Sequence, residues 1–380
     1  HQRMMDSQDG DYQKFKTKRG AYPRDHFFGR YPELKAMDAD MSDEQIYNDL
    51  LRGGHDPEKL YAAYDAATRE VGRPTVILSH TVKGYGMGEA GEGMNISHSQ
   101  KKLSDEQLIK IRERFNIPVS DEVLHHAGFY RPDPESPEMK YLHERRKALG
   151  GYLPSRPARV ETLPIPDLSI FAALLKATGE RSMSTTMALV RILVAIARNK
   201  EIGPRLVPIV PDEARTFGME GMFRQVGIYA HEGQKYEPMD ADDIMPYRES
   251  EKGQMLQEGI NEDGAMSSWI AAATSYANNC LMTIPVYIFY SMFGFQRIGD
   301  LAWAAGDMLA RGFLIGGTSG RTTLNGEGLQ HQDGHSQTFA GFIPNCISYD
   351  PTFAYELSVI LQDGMRRMYQ DEEDVFFYIT

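Results

Sequence analysis

Two histidines and an aspartate lie close together in the segment His331-Gln-Asp333-Gly-His335. Imidazole nitrogens and a carboxylate are ligands that zinc takes in proteins. No third His or Cys lies nearby in sequence, and the glycines around this segment predict a loop rather than a helix. The pattern therefore favours histidines that move protons or bind an anion over a metal site. A hydrogen-bonded structural role for either histidine stays open.

Two carboxyl groups, Glu258 and Glu262, lie four residues apart in a stretch whose apolar pattern predicts a helix over 255–278. Ile260 and Met266 would lie beside them on that helix. A carboxylate is costly to bury without a partner, so each is either a solvated residue at the edge of an apolar face or a functional acid. The spacing alone favours the solvated edge.

A glycine-rich loop follows the apolar run 74–82, which has the composition of a strand covered on both faces. The loop contains Gly86-Met-Gly-Glu-Ala-Gly91, a literal dinucleotide-binding pattern, but it is separated from the predicted strand and no good helix start follows it. We expect instead a mobile loop that carries Lys83 and His98 over a cofactor, with an ordinary surface loop as the alternative. A second glycine-rich segment, 316–328, lacks the Gly-Lys-Ser/Thr of a P-loop, so we exclude that phosphate site.

The elements that would position these residues follow an alternating pattern. Helices are predicted at 57–71, 184–199, 255–278, 298–311 and 352–368, and strands at 74–82, 205–210, 285–290, 313–317, 345–349 and 375–380. Strand and helix in turn predict an α/β fold with doubly wound parallel sheets. Such sheets bind ligands at the carboxyl ends of their strands. The chemistry is therefore expected in the segments that follow the strands, which are 83–104, 211–224, 290–300 and 316–336.

Composition narrows the classes of function. The chain has 380 residues, with 41 basic and 53 acidic side chains and a net charge of −12, so nucleic acid is an unexpected partner. No apolar run approaches the roughly 18 residues of a membrane span. Cys280 and Cys346 lie far apart, which predicts neither a disulfide framework nor a zinc knuckle and fits a reducing cytosol. Because the chain opens at His1 without an initiator Met, we expect a piece of a longer polypeptide.

Several long strings agree with one another in pointing to a single family. They are Gly53-Gly-His-Asp56, His80-Thr-Val-Lys-Gly-Tyr-Gly-Met-Gly88, Asn95-Ile-Ser-His98, Gly151-Tyr-Leu-Pro-Ser-Arg156, Pro211-Asp-Glu-Ala-Arg-Thr-Phe-Gly-Met-Glu220, Gln257-Glu-Gly-Ile-Asn-Glu262, Tyr290-Ser-Met-Phe-Gly-Phe-Gln-Arg297 and Gly326-Glu-Gly-Leu-Gln-His331. These strings resemble the homodimeric pyruvate dehydrogenases, the thiamine-diphosphate-dependent decarboxylases of the pyruvate dehydrogenase complex, and the resemblance covers nearly the whole chain.

The resemblance implies a transketolase-like, thiamine-diphosphate-binding fold with three segments. These are the C-terminal part of the diphosphate-binding domain (1–110), a linker (111–165) and a pyrimidine-binding domain that is incomplete at its end (166–380). The implied function is oxidative decarboxylation of pyruvate, with transfer of the acetyl group to the lipoyl group of dihydrolipoyl acetyltransferase, by a cytoplasmic homodimer. The alternatives are a non-catalytic dimerisation or assembly fragment of that enzyme and a transketolase-like enzyme.

The resemblance also assigns the cofactor contacts. Glu262 would be the carboxyl beside the aminopyrimidine ring, which it shifts toward the imino tautomer, with Glu258 as the runner-up. Phe293 would stack on the ring and fix its plane. The family holds Mg²⁺ and the diphosphate with a Gly-Asp-Gly motif that is absent from these 380 residues. Metal ligands are therefore expected upstream of His1, and this chain alone is expected to be inactive.

Five further residues match family positions around the substrate. Lys83 would supply a positive charge for the substrate carboxylate, and Tyr290 a hydroxyl donor. His98 and His331 would donate or accept protons. Glu213 would be a polar link near the site rather than a base.

Overall fold

The computed structural model describes residues 1–18, 20–49, 53–126, 128–152, 159–211, 214–317 and 329–380. These form two compact units, His1–Leu149 and Gly150–Thr380. The domain limits 1–110, 111–165 and 166–380 stay a prediction about the longer protein.

The described part of the first unit is built from helices. Its α-helices are Gln2–Met5, Asp9–Thr17, Ala21–His26, Pro32–Met37, Asp43–Asp49, Pro57–Arg69, Asp105–Arg114, Asp121–His125 and Pro137–Ala148, with short 3₁₀ helices at Phe28–Arg30, Gly53–His55, Gly88–Ala90 and Asn95–His98. The predicted helix at 57–71 is confirmed. It begins where Asp56 accepts the backbone N–H of Glu58 and of Lys59 at 3.1 and 3.2 Å, with Pro57 in the first turn.

The strand predicted at 74–82 is wrong for the described structure. This segment belongs to no sheet, and Val76 and Leu78 are 81% and 91% exposed. A strand needs a neighbouring strand to take up its backbone groups, and the described residues of the first unit contain none. The apolar composition was therefore insufficient to specify a buried strand.

The second unit contains a six-stranded parallel sheet. Its strands, labelled in chain order through this unit, are β1 (Leu206–Val210), β4 (Leu256–Gln257), β5 (Ile284–Tyr290), β6 (Phe313–Gly317), β7 (Cys346–Tyr349) and β8 (Phe376–Ile379); β2 (Ile228–Tyr229) and β3 (Glu249–Ser250) form a separate parallel pair. The order in the large sheet is β4-β1-β5-β6-β8-β7. Its neighbours are all parallel, with Val286 of β5 opposite Phe313 of β6 and Phe313 opposite Phe377 of β8.

Helices cover both faces of this sheet. The α-helices of the second unit are Thr185–Arg198, Glu220–Gln225, Glu262–Ala273, Ser275–Asn279, Ser291–Asp307, Ser336–Ala340 and Ala354–Met365; 3₁₀ helices lie at Leu168–Phe171, Gly203–Arg205 and Leu329–His331, and a π-helix at Arg366–Gln370. On β5, Val286 and Ile288 pack in one core and Tyr287 and Phe289 in the other. The predicted doubly wound parallel sheet is confirmed.

Two predicted helices in this unit have the wrong limits. The helix expected over 255–278 begins only at Glu262, because Gly259 adopts a positive φ of 73° and the Asn261 side chain accepts the Gly264 N–H at 3.0 Å as an N-cap. The chain before it forms β4 at the edge of the sheet. The helix expected from 298 starts directly after β5, at Ser291.

The early start of the helix Ser291–Asp307 depends on a close approach. A Cβ on Gly294 would lie 2.0 Å from the Phe289 ring, so only glycine lets the first helical turn lie against β5. Glycine is a poor helix former in isolation, and for this reason the sequence pattern underestimates this end of the helix.

Candidate functional site

The carboxyl ends of the central strands carry the predicted site residues of the second unit. Tyr290 is the last residue of β5 and directly precedes the helix Ser291–Asp307, on which Phe293 lies in the first turn. His331 lies in a 3₁₀ helix in the chain between β6 and β7. Parallel sheets place ligand sites at this edge, so the topology brings residues from separate segments to one place.

Tyr290, Phe293 and His331 form an aromatic cluster. The ring centroids of Tyr290 and His331 are 5.0 Å apart, those of Phe293 and His331 are 5.3 Å apart, and those of Tyr290 and Phe293 are 6.4 Å apart. Phe217 adds a fourth ring 5.4 Å from Tyr290. Rings at these separations pack edge-on or tilted and fix one another's planes. Three residues singled out from the sequence are therefore in direct contact.

Glu262 joins this cluster through an arginine. Its carboxylate forms an ion pair with the guanidinium of Arg297, which lies 4.8 Å from the centroid of the Phe293 ring. The Glu262 side chain is 16% exposed and stands on the first residue of its helix, where the positive end of the helix dipole favours a carboxylate. An acid, a cation and an aromatic ring thus form one continuous contact.

Glu258 lies on a different element from Glu262, so the prediction that both acids lie on one helix is wrong. Glu258 directly follows β4, and its backbone N–H donates to the carbonyl of Val210 on β1 at 3.0 Å. Its carboxylate accepts the hydroxyl of Ser268 at 2.6 Å. The chain bends at Gly259 between the two acids, so a helical spacing does not describe them.

The segment around His331 is held by a buried acid. Asp333 is buried, and its carboxylate accepts the backbone N–H of His335 at 3.0 Å and both the N–H and the hydroxyl of Ser336. Burial acts to raise the pKa of Asp333, but these hydrogen bonds prevail and hold its pKa below the usual range. His335 is exposed while His331 is half-buried, so the two imidazoles have different surroundings.

Metal binding finds no support in this segment. The Asp333 carboxylate is engaged by the backbone and by Ser336, and the part of the chain that the structure describes contains no group of three His, Cys, Asp or Glu side chains that could hold a metal ion.

A small cavity of about 150 Å³ lies beside the aromatic cluster. Phe217 forms part of its wall, together with Gly316 and Gly317 at the end of β6 and Thr380 after β8. A Cβ on Gly317 would lie 2.5 Å from the Phe217 ring, so glycine is required for this ring to pack over the strand end. The cavity and the cluster thus share one aromatic wall.

Lys83 and His98 lie on the loop of the first unit, where both are exposed. Between them Glu92 is buried, and its carboxylate forms ion pairs with Arg114 and, at 3.4 Å, with Lys16. The same carboxylate accepts the N–H groups of Gly86 at 3.3 Å and of Gly88 at 3.1 Å. These amides serve an internal acid, which agrees with the rejection of the dinucleotide-binding pattern.

Two parts of the predicted site lie outside the described residues. These are Glu213, with its neighbour at 212, and the glycine-rich stretch 318–328.

Comparison with known proteins shows to which family the chain belongs. The family model for the pyruvate dehydrogenase E1 component middle domain matches residues 163–380, more than half of the chain. The chain belongs to this family. The match covers β1 to β8 and therefore the aromatic cluster, Glu262 and Arg297.

Curated relatives carry the same name. The chain is 61% identical over 379 residues to the pyruvate dehydrogenase E1 component of Cupriavidus necator, covering 100% of this chain and 42% of that protein. It is 60% identical to that of Pseudomonas aeruginosa and 59% identical to that of Escherichia coli, covering in each case 100% of this chain and 43% of the relative. The chain thus spans less than half the length of these E1 components.

The fold has a solved counterpart. A transketolase from Campylobacter jejuni superposes with a TM-score of 0.54 at 19% identity, over 86% of this chain and 44% of that one. At this identity the likeness shows the fold alone, and it confirms the predicted transketolase-like α/β architecture of this E1 family member. Among the described residues, no helix is both long and apolar enough to cross a membrane.

Sequence reasoning missed Arg297, which links Glu262 to Phe293 in this E1 domain. The sequence did contain a signal for this contact, namely the four-residue spacing of Phe293 and Arg297. That spacing places both residues on one helix face, because the helix begins at Ser291. The predicted start at 298 left both residues in a loop and hid their relation.

Proposed function

We propose that this chain supplies the pyrimidine-binding part of a thiamine-diphosphate-dependent pyruvate dehydrogenase. The longer enzyme would decarboxylate pyruvate oxidatively and pass the acetyl group to the lipoyl group of dihydrolipoyl acetyltransferase, yielding acetyl-CoA in the whole complex. The observation that carries the proposal is the contact of Glu262, Arg297 and Phe293 beside Tyr290 and His331, at the carboxyl ends of a sheet in an E1 family domain.

The residues present fit the aminopyrimidine end of the cofactor. An aminopyrimidine needs a hydrogen-bonding group for its ring nitrogen and an aromatic surface for its face. Glu262 offers the first and Phe293 the second, and Arg297 contacts both residues. The described residues offer no comparable set of ligands for Mg²⁺. We therefore assign magnesium and the diphosphate to residues other than those described.

Glu262 is proposed to hold the ring nitrogen and favour the imino tautomer. When bound, thiamine diphosphate supplies an acidic thiazolium carbon and an electron sink for the decarboxylated substrate. The half-buried position of Glu262 matters because a hydrogen bond from a carboxyl group acts more strongly where water is scarce. Glu262 must then exchange its ion pair with Arg297, in whole or in part, for the contact to the ring.

The remaining site residues are proposed to serve the substrate. Tyr290 and His331 lie in contact with Phe293, so a hydroxyl and an imidazole would face the reacting carbons from the strand ends. Lys83 would pair with the substrate carboxylate, and His98 would deliver a proton to the departing lipoyl sulfur. Glu213 keeps its proposed role as a polar link.

The proposed setting is a cytoplasmic homodimer that meets the lipoyl domain of the acetyltransferase, without nucleic acid or membrane as partners. A transketolase activity has less support, since the likeness to transketolase shows the fold alone while relatives at 59–61% identity are named as E1 components.

Titration with thiamine diphosphate separates the enzyme from a purely assembling fragment. The purified chain and a polypeptide of the full length of the E1 relatives are compared by calorimetry, with Mg²⁺ present. The enzyme hypothesis expects tight binding to the long polypeptide that Glu262→Gln weakens. Unchanged binding after Glu262→Gln, or none to the long polypeptide, would leave this chain a dimerisation or assembly segment.

A further inference from the structure

The first unit contains a cavity that the proposed chemistry does not use. Its volume is about 590 Å³, within the roughly 300–1,000 Å³ typical of small-molecule sites. The lining is mainly apolar and aromatic, with Tyr12, Phe15 and Phe27 among its rings. None of the described residues that line it is acidic, although the whole chain carries a net charge of −12.

Arg3 places a positive charge in the wall of this cavity. The residue is only 5% exposed, and one of its terminal nitrogens donates to the carbonyl of His26 at 3.0 Å. Its guanidinium carbon lies 5.7 Å from the Phe15 ring centroid and 5.5 Å from that of Phe27. Its Nε is buried without a hydrogen-bond partner.

The two lysines of the lining already have acidic partners. Lys16 pairs with Glu92 at 3.4 Å and Lys59 with Asp56 at 3.1 Å. No described carboxylate forms such a pair with Arg3. Asp6, three residues away, attracts the Arg3 guanidinium electrostatically but forms no ion pair with it. A buried guanidinium without a directly paired carboxylate is unfavourable, and aromatic rings offset only part of this cost. The unused donor and the apolar walls both point to a ligand that is anionic at one end and apolar over the rest.

We propose that this cavity binds an anionic group, a carboxylate or its sulfonate equivalent, carried on an apolar or aromatic body, with Arg3 as its counter-ion. Arginine suits this task because its planar fork of donors matches two anion oxygens. Two sources present this chemistry: a free small acid, and an Asp or Glu side chain set among apolar residues in a longer polypeptide that contains this chain.

Two fluorescent probes of matched shape test the charge requirement in the 380-residue chain. The anionic probe is 1-anilinonaphthalene-8-sulfonate, and the neutral probe is N-phenyl-1-naphthylamine, which has the same rings without the sulfonate. We expect the chain to bind the anionic probe about tenfold or more tightly than the neutral one, as a charged hydrogen bond allows. Arg3→Met should remove that preference, and 4-phenylbutyrate should displace the anionic probe where 4-phenylbutanol does not.

Two further variants separate binding from folding. Arg30→Met changes an exposed arginine of the same unit and should leave both affinities unchanged. Arg3→Lys keeps a cation without the planar fork and should retain part of the preference even if Arg3→Met folds poorly. Equal affinity for both probes in the unmodified chain, or a preference that survives in folded Arg3→Met, would overturn the proposal.

The same titration in the longer polypeptide identifies the source of the anion. Binding that persists there and depends on Arg3 assigns a free small acid. Loss of probe binding, together with a lower melting temperature of Arg3→Met only in the longer polypeptide, assigns a carboxylate of the polypeptide itself. Loss of probe binding with no effect of Arg3→Met on the melting temperature of either polypeptide would overturn the proposal.

Discussion

The two units of this chain carry their proposed site residues on different kinds of structural element. Residues 150–380 form a parallel sheet whose strand ends bring Glu262, Phe293, Tyr290 and His331 into one region, from segments distant in sequence. In the first unit the described residues form helices and loops without a sheet. Its two proposed site residues therefore lie on an exposed loop, not at the end of a strand. A sheet fixes its site by topology, whereas the loop must rely on local anchors such as Glu92.

The sharpest stability contrast is between a core residue of the sheet unit and an apolar residue of the first unit. Trp269 is fully buried, donates its indole N–H to the carbonyl of Phe313 at 3.0 Å and packs against Phe376. Trp269→Ala should lower the free energy of unfolding by about 3–5 kcal/mol. Leu78→Ala should change it by less than about 0.5 kcal/mol, because Leu78 is 91% exposed.

Urea unfolding followed by circular dichroism measures both changes. A loss for Leu78→Ala as large as that for Trp269→Ala would contradict the contrast and place the segment 74–82 in a packed core. The same pair of variants in a longer polypeptide would show whether added residues cover this segment.

The next largest effect is expected at the strand-end site itself. In the full-length enzyme Glu262→Gln should reduce decarboxylation of pyruvate roughly a hundredfold or more, because the ring nitrogen would lose its acidic partner. The matched control is Glu258→Gln, whose carboxylate is held by Ser268 on the neighbouring helix. It should cost about tenfold or less. Turnover is followed with an artificial electron acceptor, and a reversed order would transfer the role to Glu258.

The loop of the first unit should affect a later step more than decarboxylation. His98 is exposed on that loop, and under the proposed function its imidazole would reach the substrate only through movement of the loop. In the full-length enzyme His98→Ala should keep most decarboxylation but lose roughly ten- to a hundredfold in reductive acetylation of a free lipoyl domain. His125→Ala, in the same unit, serves as the control and should leave both rates unchanged. Equal losses in the two assays would place His98 in the shared early steps.

The sequence predicted the second unit well because its signals are local and repeated. Strands such as Phe313–Gly317 and helices such as Thr185–Arg198 follow from apolar runs and an N-cap serine at 184. The same reasoning gave a wrong prediction at 74–82 in the first unit. The residues there have a strand-like composition, but the described residues of this unit contain no strand that could pair with them. A strand pairs with another segment that is distant in sequence, so the composition of one segment cannot show whether a pairing strand exists.

The candidate site was predicted in part. Tyr290, Phe293 and His331 came from the family resemblance, and the structure brings them into contact. The link through Arg297 required the true helix start, which depends on the packing of Gly294 against Phe289. Such tertiary contacts override the weak helix propensity of glycine.

The smallest expected effect concerns the anchor of the loop. Burial of Glu92 acts to raise its pKa, but the ion pairs with Arg114 and Lys16 prevail, so the pKa of Glu92 lies below its ordinary value of 4.5. A carboxyl group whose pKa is lowered by folding contributes stability above its unfolded pKa and loses that contribution as the pH falls through its folded pKa. Glu92 should therefore stabilise the loop fully at neutral pH and progressively less below about pH 4.5.

Glu92→Gln isolates this contribution because glutamine matches the shape of the protonated acid. At pH 7 the variant should be less stable than the unmodified chain by about 1–2 kcal/mol, close to the size of one hydrogen bond to a charged group, and the difference should shrink in acid. Limited proteolysis between 89 and 102 should rise in parallel, since the glycines around Glu92 lose their anchor. Glu89→Gln is the matched control, because Glu89 is exposed and its ion pair with Lys110 lies in solvent, where such a pair contributes little. A stability difference that stayed constant from pH 7 down to pH 3 would show that Glu92 acts through its packing, and the loop would then owe its order to shape rather than to charge.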